Sequence, residues 1–294
     1  MDTVSRKART CPTATQLLAA LILLVPGPFI QGAPLQLSSV VFWYADNPPL
    51  AQLAQFDWSV VEPDHLSPAD VDVLRSQGGL PFAYLSVGEF HGGPAELEAQ
   101  SLSDAISPVR NGPWNSQVMN LESQVWRDHL FTRAADLRSQ GYAGLFLDTL
   151  DSFQLLPEPE WEAQRIALTS LLRELHQRQP LMKLFFNRGF EVLQDLEGLA
   201  AAVAVESIRA GWDASTRRYR PVPKADRQWL ESQLQPLRDQ TIPLVAIEYL
   251  PPERRDEARR LVKRLRAEGF VPYVASPDLD SLGVGTIDVV KEAD

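Results

Sequence analysis

Cysteine is almost absent from this chain of 294 residues: the one thiol, Cys11, lies close to the amino terminus. A disulfide framework, a thiol nucleophile and a cysteine-based metal site are therefore excluded from everything downstream of it. Histidine is scarce too. His65, His91, His129 and His176 are scattered, the last two inside predicted helices, so no strand carries the paired histidines of a metal-dependent amidohydrolase barrel. Acid-only binding of magnesium or calcium is conceivable but not favoured, and no metal or cofactor is expected. The sequence has no Gly-x-Ser-x-Gly elbow, which argues against a serine esterase. Gly283-Val-Gly285 comes too late and too isolated to be a phosphate-binding turn. Lys183 stands at the start of its predicted strand rather than the end, where a Schiff-base lysine is needed. Internal repeats, low-complexity tracts and interdomain linkers are also missing.

Positive charge is in short supply: the formal net charge is −10. Residues 1–33 hold Arg6, Lys7 and Arg9 against Asp2, so the remainder is more acidic still, about −12. Nucleic acid and anionic membrane are poor partners for such a surface. A neutral or cationic ligand suits it, although solubility alone also accounts for it. Only one apolar run stands out, Leu17–Val25, and it is too short to span a bilayer comfortably. With the basic region before it, Pro26, Gly27 and Pro28 after it, and Gly32 or Ala33 as cleavage positions, residues 1–33 are read as a secretory signal. The expectation is an exported protein, in periplasm or medium, without a membrane anchor after cleavage, whose residues 34–294 form one domain.

The organising stretch is Gly141–Asp151, Gly-Tyr-Ala-Gly-Leu-Phe-Leu-Asp-Thr-Leu-Asp. A helix over Glu122–Gln140 runs into it and Gly141 ends that helix. An apolar run then climbs to Asp148 and stops there. The same grammar recurs along the chain. Strands are predicted at Ser39–Tyr44, Trp58–Glu62, Pro81–Val87, the run to Asp148, Leu181–Phe186, Leu199–Val205, Ile242–Ile247 and Phe270–Ala275. Helices separate them, one starting at Ser67 as N-cap with Pro68 in the first turn. Residues from Phe90 to Met119 read as a long irregular stretch, and the segment with Trp212, Tyr219 and several arginines as a loop. Eight strands alternating with helices predict an α/β fold, a single-domain (β/α)8 barrel, with an open doubly wound sheet as the alternative.

In such a barrel the carboxyl ends of the strands form the catalytic face. The residues where the apolar runs stop are Tyr44, Glu62, Glu89, Asp148, Asn187, Glu206, Glu248 and Ser276, five of them acids. With the other chemistries set aside, what remains is a pair of carboxylates at a glycosidic bond, one protonating the leaving oxygen and the other attacking or activating water. Aromatic side chains must then floor the sugar sites, and Trp43, Tyr44, Trp114, Trp212, Tyr219 and Tyr249 are placed to do so. Trp43 serves equally well as a core residue, and Glu62 and Glu248 equally well as buried partners of Arg188 or Arg209.

Four segments in order, Phe42-Trp43-Tyr44-Ala45, Ala83-Tyr84-Leu85-Ser86-Val87-Gly88-Glu89, Trp114-Asn115-Ser116-Gln117-Val118-Met119 and Gly141–Ser152, resemble the endo-α-1,4-galactosaminidases of glycoside hydrolase families 114 and 166. The resemblance runs from about Ser39 to the carboxyl terminus. It implies a retaining endo-hydrolase of partly deacetylated, α-1,4-linked N-acetylgalactosamine exopolysaccharide, with Asp148 as nucleophile and Glu206 as general acid/base, their carboxyls ~5–5.5 Å apart. Tyr44, Glu62, Tyr84, Ser86, Glu89, Trp114 and Asn115 are then candidates for binding the cationic galactosaminoglycan. So are Asp151, Asn187, Arg188, Trp212, Glu248 and Tyr249. The competing expectation is a catalytically silent barrel that binds the polysaccharide and works with an exopolysaccharide export machinery.

Overall fold

The computed structural model describes residues 37–284 together with Met1. Apart from Met1, the segment read as a signal, with its cleavage positions and Cys11, lies outside the described residues, as do residues 285–294.

Among the described residues, eight parallel strands form one sheet in chain order: β1 Val40–Trp43, β2 Trp58–Val61, β3 Leu80–Ser86, β4 Gly144–Asp148, β5 Lys183–Asn187, β6 Ala200–Glu206, β7 Leu244–Tyr249 and β8 Val271–Ala275. Each is a near-continuous apolar run, as a strand covered on both faces must be. The last strand returns to the first. The Tyr273 hydroxyl donates to the Phe42 carbonyl (2.8 Å), and the Tyr44 N–H donates to the Leu279 carbonyl (2.9 Å). The chain is a (β/α)8 barrel, the predicted fold, and the predicted strands all sit within a few residues of their expected ends.

Helices fill the connections at Leu50–Leu53, Pro68–Arg75, Gln124–Ser139, Glu158–Arg178, Phe190–Leu193, Lys224–Asp239 and Arg255–Ala267. Ser67 caps its helix as its sequence context requires, in a reciprocal box with Asp70, an arrangement worth about 1 kcal/mol. The helix Gln124–Ser139 buries Trp126, Leu130, Ala134 and Leu137, and the Trp126 indole N–H reaches the Val87 carbonyl at 2.8 Å. That bond ties the helix preceding β4 to the end of β3. Gly141 then stops the helix at φ +101°.

The barrel interior is closed by rings. Phe42 meets Phe146 and Tyr273 at 5.2 Å each, Phe146 meets Phe185 at 4.9 Å, and Phe82 lies 4.5 Å from Trp58. Gly144 opens β4 because a side chain there would drive into the Phe82 ring, 2.4 Å from the place of a Cβ. This aromatic plug is the floor on which the upper end of the barrel rests.

Two segments differ from expectation. The stretch after β3 is not irregular: Glu89–Phe90, Ile106–Asn111 and Ser116–Met119 form a small antiparallel sheet with Ser116–Met119 in the middle. Its strands are two to six residues long, one carries Pro108, and none shows a sustained alternation. The segment with Trp212 and Tyr219 is a hairpin, Ala210–Asp213 against Arg218–Pro221. Its outer strand, Arg-Tyr-Arg-Pro, has the alternation of a strand but little apolar surface, and so it reads as a loop.

Candidate active site

Period-two alternation carries the plug into the site. Two residues beyond Phe42, Phe82, Phe146 and Phe185, the inward side chains are Tyr44, Tyr84, Asp148 and Asn187. Two beyond Ile247 is Tyr249. Counting back in twos from Glu206 reaches Ala204 and Ala202, small residues that leave the interior to the rings. The ends of six strands, five of them neighbours (β3 to β7), therefore aim polar atoms at one point.

The Asn187 amide is at its centre. Its Nδ2 donates to Asp148 Oδ1 at 2.8 Å and to Glu206 Oε1 at 2.7 Å. Those two oxygens can be no farther apart than the two bonds laid end to end, about 5.5 Å. Only this orientation of the amide is tenable, since the flipped one would set its oxygen against two carboxylates. Among the described residues the Asn187 Oδ1 is left buried without a partner. The other oxygen of each acid is held by a phenol: Tyr84 donates to Asp148 Oδ2 at 2.8 Å and Tyr249 to Glu206 Oε2 at 2.5 Å. Tyr44 packs edge-on against Tyr84 with ring centroids 5.1 Å apart.

Burial, reinforced by the carboxylates opposite, holds the hydroxyls of Tyr44, Tyr84 and Tyr249 well above the usual tyrosine range, so they remain protonated donors. Burial and the nearby Glu206 charge push the Asp148 carboxyl up, against the bonds from Asn187 and Tyr84 that favour its ionised form. Both acids are half-buried and reachable from solvent.

The backbone is strained just past the three strands that carry this cluster. Thr149, Arg188 and Ser207, the residues immediately after Asp148, Asn187 and Glu206, have φ of +60°, +54° and +60°. Non-glycine residues in this region cost about 1–3 kcal/mol each and persist only where surrounding bonds enforce them. For Thr149 those bonds are visible: its Oγ1 accepts the Gly88 N–H (2.8 Å), lies 2.9 Å from Ser86 Oγ and donates to the Asp148 carbonyl (2.6 Å).

Two acids bridged by one amide on the catalytic face of a barrel are the apparatus of glycosidic bond cleavage, and the sequence comparison agrees. Residues 35–289 match the model of glycoside-hydrolase family GH114. The chain belongs to that family. It is 63% identical to the glycoside hydrolase domain of PelA from Pseudomonas aeruginosa, over 84% of this chain and 98% of that one, with a TM-score of 0.82. Two more distant structures share the fold. One is Ega3 of Aspergillus fumigatus, solved with galactosamine (11% identity, TM-score 0.61, 83% of this chain and 94% of that one). The other is an α-galactosidase of Thermus thermophilus (14% identity, TM-score 0.54, 85% and 59%). No curated protein matches significantly. The protein is a glycoside hydrolase.

Within this GH114 barrel the other predicted residues part ways. Arg188 donates to the Glu206 carbonyl at 3.2 Å, and Asp151, its carboxyl pushed up by burial against the pull of Arg188, lies beside it. Trp212 stands on the hairpin, its ring edge-on to Tyr219 at 4.9 Å, and with Arg188 and Glu206 it lines a cavity of about 470 Å³. Glu62 is half-buried among Asp64, His65 and Arg133, and burial followed by the Asp64 charge pushes its carboxyl up. Trp43 turns its indole N–H onto the Ala45 carbonyl at 2.9 Å.

Glu89, Ser86 and Glu248, expected at the sugar, are bonded to the protein's own groups. Glu89 is 2% exposed and accepts bonds from Asn111, Ser116 and Ser152, joining the small sheet to the loop after β4. Ser86 spends its hydroxyl on the Glu89 carbonyl at 2.7 Å. Glu248 is fully buried because it is one residue out of phase with Tyr249. It receives the N–H groups of Ile208 (3.1 Å), Arg209 (3.0 Å) and Ala210 (2.6 Å). Burial pushes its carboxyl up to about 7 in spite of those three donors. Trp114 and Asn115 sit at the exposed tip of the small sheet, Asn115 at φ +52° and tied to Arg110, and no hydrogen bond or ring contact joins them to the acid pair among the described residues.

Trp229 and Arg220, which also line the cavity, escape the sequence reading. Trp229 had a detectable signal. Leu230, Leu234 and Leu237 form the buried stripe of its helix, and Trp229 lies about 100° away from that stripe, half-exposed.

Proposed function

We propose that the protein is an exported endo-glycosidase that cuts α-1,4-linked, partly deacetylated N-acetylgalactosamine-rich polysaccharide by a two-step, retaining mechanism. The observation that carries the mechanism is the Asn187 amide shared by Asp148 and Glu206. It holds the acids within about 5.5 Å, the ~5–5.5 Å of a retaining pair and short of the ~6.5–9.5 Å that an inverting enzyme leaves for water. The acidic chain suits a polymer bearing free amines, and the sequence identity to the PelA hydrolase domain supports an exopolysaccharide substrate. Export rests on the basic and apolar segment within residues 1–33.

In the first step an Asp148 oxygen attacks the anomeric carbon, the bond to the leaving oxygen breaks, and Glu206 gives that oxygen its proton. In the second, Glu206 takes a proton from water, the water oxygen attacks the same carbon, and Asp148 leaves as a carboxylate. Asp148 is assigned the nucleophile's part as the member of the pair that does not line the open cavity. Glu206 suits the acid/base because it lines the open cavity, where a leaving sugar and then water can reach it. The unpartnered Asn187 Oδ1 is an acceptor ready for a sugar hydroxyl or ammonium.

Reducing-end release from partly deacetylated α-1,4-galactosaminogalactan tests this. Wild type is expected to cut with the α anomer formed first. Asp148→Asn and Glu206→Gln, folded by circular dichroism, are expected to lose ~10³-fold or more. A wild type that binds the polymer without cutting it would replace this reading with a binding barrel of exopolysaccharide export.

A further inference from the structure

Resting on the hydrolytic reading above, we propose that the cavity beside Glu206 holds the sugar on the leaving side of the scissile bond, and that it selects a unit with no free amine, an N-acetylated one. A general acid must stand within hydrogen-bond reach of the oxygen it protonates. The cavity of about 470 Å³ is walled by Glu206 and not by Asp148, so a sugar in it lies on the side the proton goes to. Its size falls within the ~300–1,000 Å³ of ligand pockets.

The walls specify the occupant. Trp212 and Trp229 offer indole surface, each steadied by a second ring, Tyr219 at 4.9 Å and Phe190 at 6.0 Å. Sugar C–H faces and an acetyl methyl pack on such rings. Charge in the cavity comes from Arg188 and Arg220 against Asp226, with Glu206 neutral when it is poised as the acid. Arg188 is turned onto the Glu206 carbonyl, whereas Arg220, exposed on the outer hairpin strand, has no carboxylate partner among the described residues. An ammonium in this space would face two guanidinium groups against the single carboxylate of Asp226. An acetamide would bring no charge, and its carbonyl could accept from one of them. The hairpin carrying Trp212 and Arg220 is anchored at its base by Glu248, through the N–H groups of Ile208, Arg209 and Ala210.

Product ends read the preference directly. Water adds to the sugar on the Asp148 side, which becomes a new reducing end; the leaving sugar becomes a new non-reducing end. An α-1,4-galactosamine polymer re-acetylated at random to about one half, cut to low conversion and sequenced by tandem mass spectrometry, is expected to yield new non-reducing ends enriched roughly tenfold in N-acetylgalactosamine over galactosamine. Arg220→Glu is expected to abolish or reverse that bias while chains are still cut, and Arg220→Gln to fall between. Wild-type ends that match the bulk composition, or a bias unchanged in Arg220→Glu, would overturn the subsite and leave the hydrolytic reading standing. Wild type producing no new ends at all would remove both.

Discussion

At the scale of single residues, the site is a set of hydrogen bonds that each bias a proton. In the proposed mechanism Asp148 must be ionised to attack, and its carboxyl lies above the ordinary aspartate value because of burial and the Glu206 charge. The acid limb of kcat/KM is therefore expected above the pH at which a free aspartate titrates. Tyr84 works in the opposite direction, since its hydroxyl donates to Asp148 Oδ2 and favours the carboxylate. Tyr84→Phe removes a hydrogen bond to a charged group, worth about 1.5–3 kcal/mol. The nucleophile's pKa then rises further, and the acid limb is expected to move up by roughly one pH unit or more. A pH–rate profile of wild type and Tyr84→Phe on the same polymer checks this; a limb that stays put or moves down would mean that Tyr84 does not tune the nucleophile. Activity well above the limb is expected to fall far less than in Asp148→Asn, because the attacking oxygen remains.

At the scale of elements, one carboxylate sets a hairpin. Glu248 accepts the N–H groups at the base of the strand carrying Trp212, and its carboxyl is raised from 4.5 to about 7 by burial. A raised folded-state pKa means that the folded protein holds this proton more tightly than the unfolded chain. The resulting stabilisation is complete below the unfolded value and is lost as pH rises through about 7. It amounts to at most about 3 kcal/mol. Glu248→Gln is expected to flatten the fall in urea midpoint between pH 4.5 and 7 and to raise KM more than it lowers kcat, as Trp212 loses its support. An unchanged pH slope in the variant would refute the linkage. This element also shows where the sequence stops being readable. Strands and their ends could be found because each is an apolar run that halts at a polar residue, and so Asp148, Asn187 and Glu206 were all legible. The face on which a strand-end residue lies was not. Glu248 and Tyr249 are adjacent in sequence, and only the position of the aromatic plug decides which of them points inward. Glu89 likewise ends an apolar run, yet it is consumed by Ser116, Ser152 and Asn111, partners 22 to 63 residues away. The small sheet that holds it was invisible because strands of two to six residues carry too few positions for a period to show.

At the scale of the whole molecule, charge becomes a property of encounter rather than of contact. A chain with formal charge −10 attracts a polymer with free amines over distances set by screening. The screening length is roughly 30 Å at 0.01 M salt and about 8 Å at 0.15 M. On a largely deacetylated polymer, kcat/KM is therefore expected to fall several-fold across that range, while kcat, measured once substrate is bound, changes little. A fully N-acetylated polymer lacks the charge and is expected to show no such slope, though it is cut more slowly if an ammonium is needed on the Asp148 side of the bond. The comparison separates two electrostatic effects that act in opposite senses in this protein. On the proposed reading the global field draws the cationic polymer in, whereas Arg188 and Arg220 repel an ammonium locally from the cavity beside Glu206. Salt screens the long-range attraction far more than the short-range repulsion inside a partly enclosed cavity. Raising salt should thus slow cutting of the deacetylated polymer without erasing the N-acetyl bias at the new non-reducing ends. A salt-independent kcat/KM would show that the acidic surface serves solubility alone.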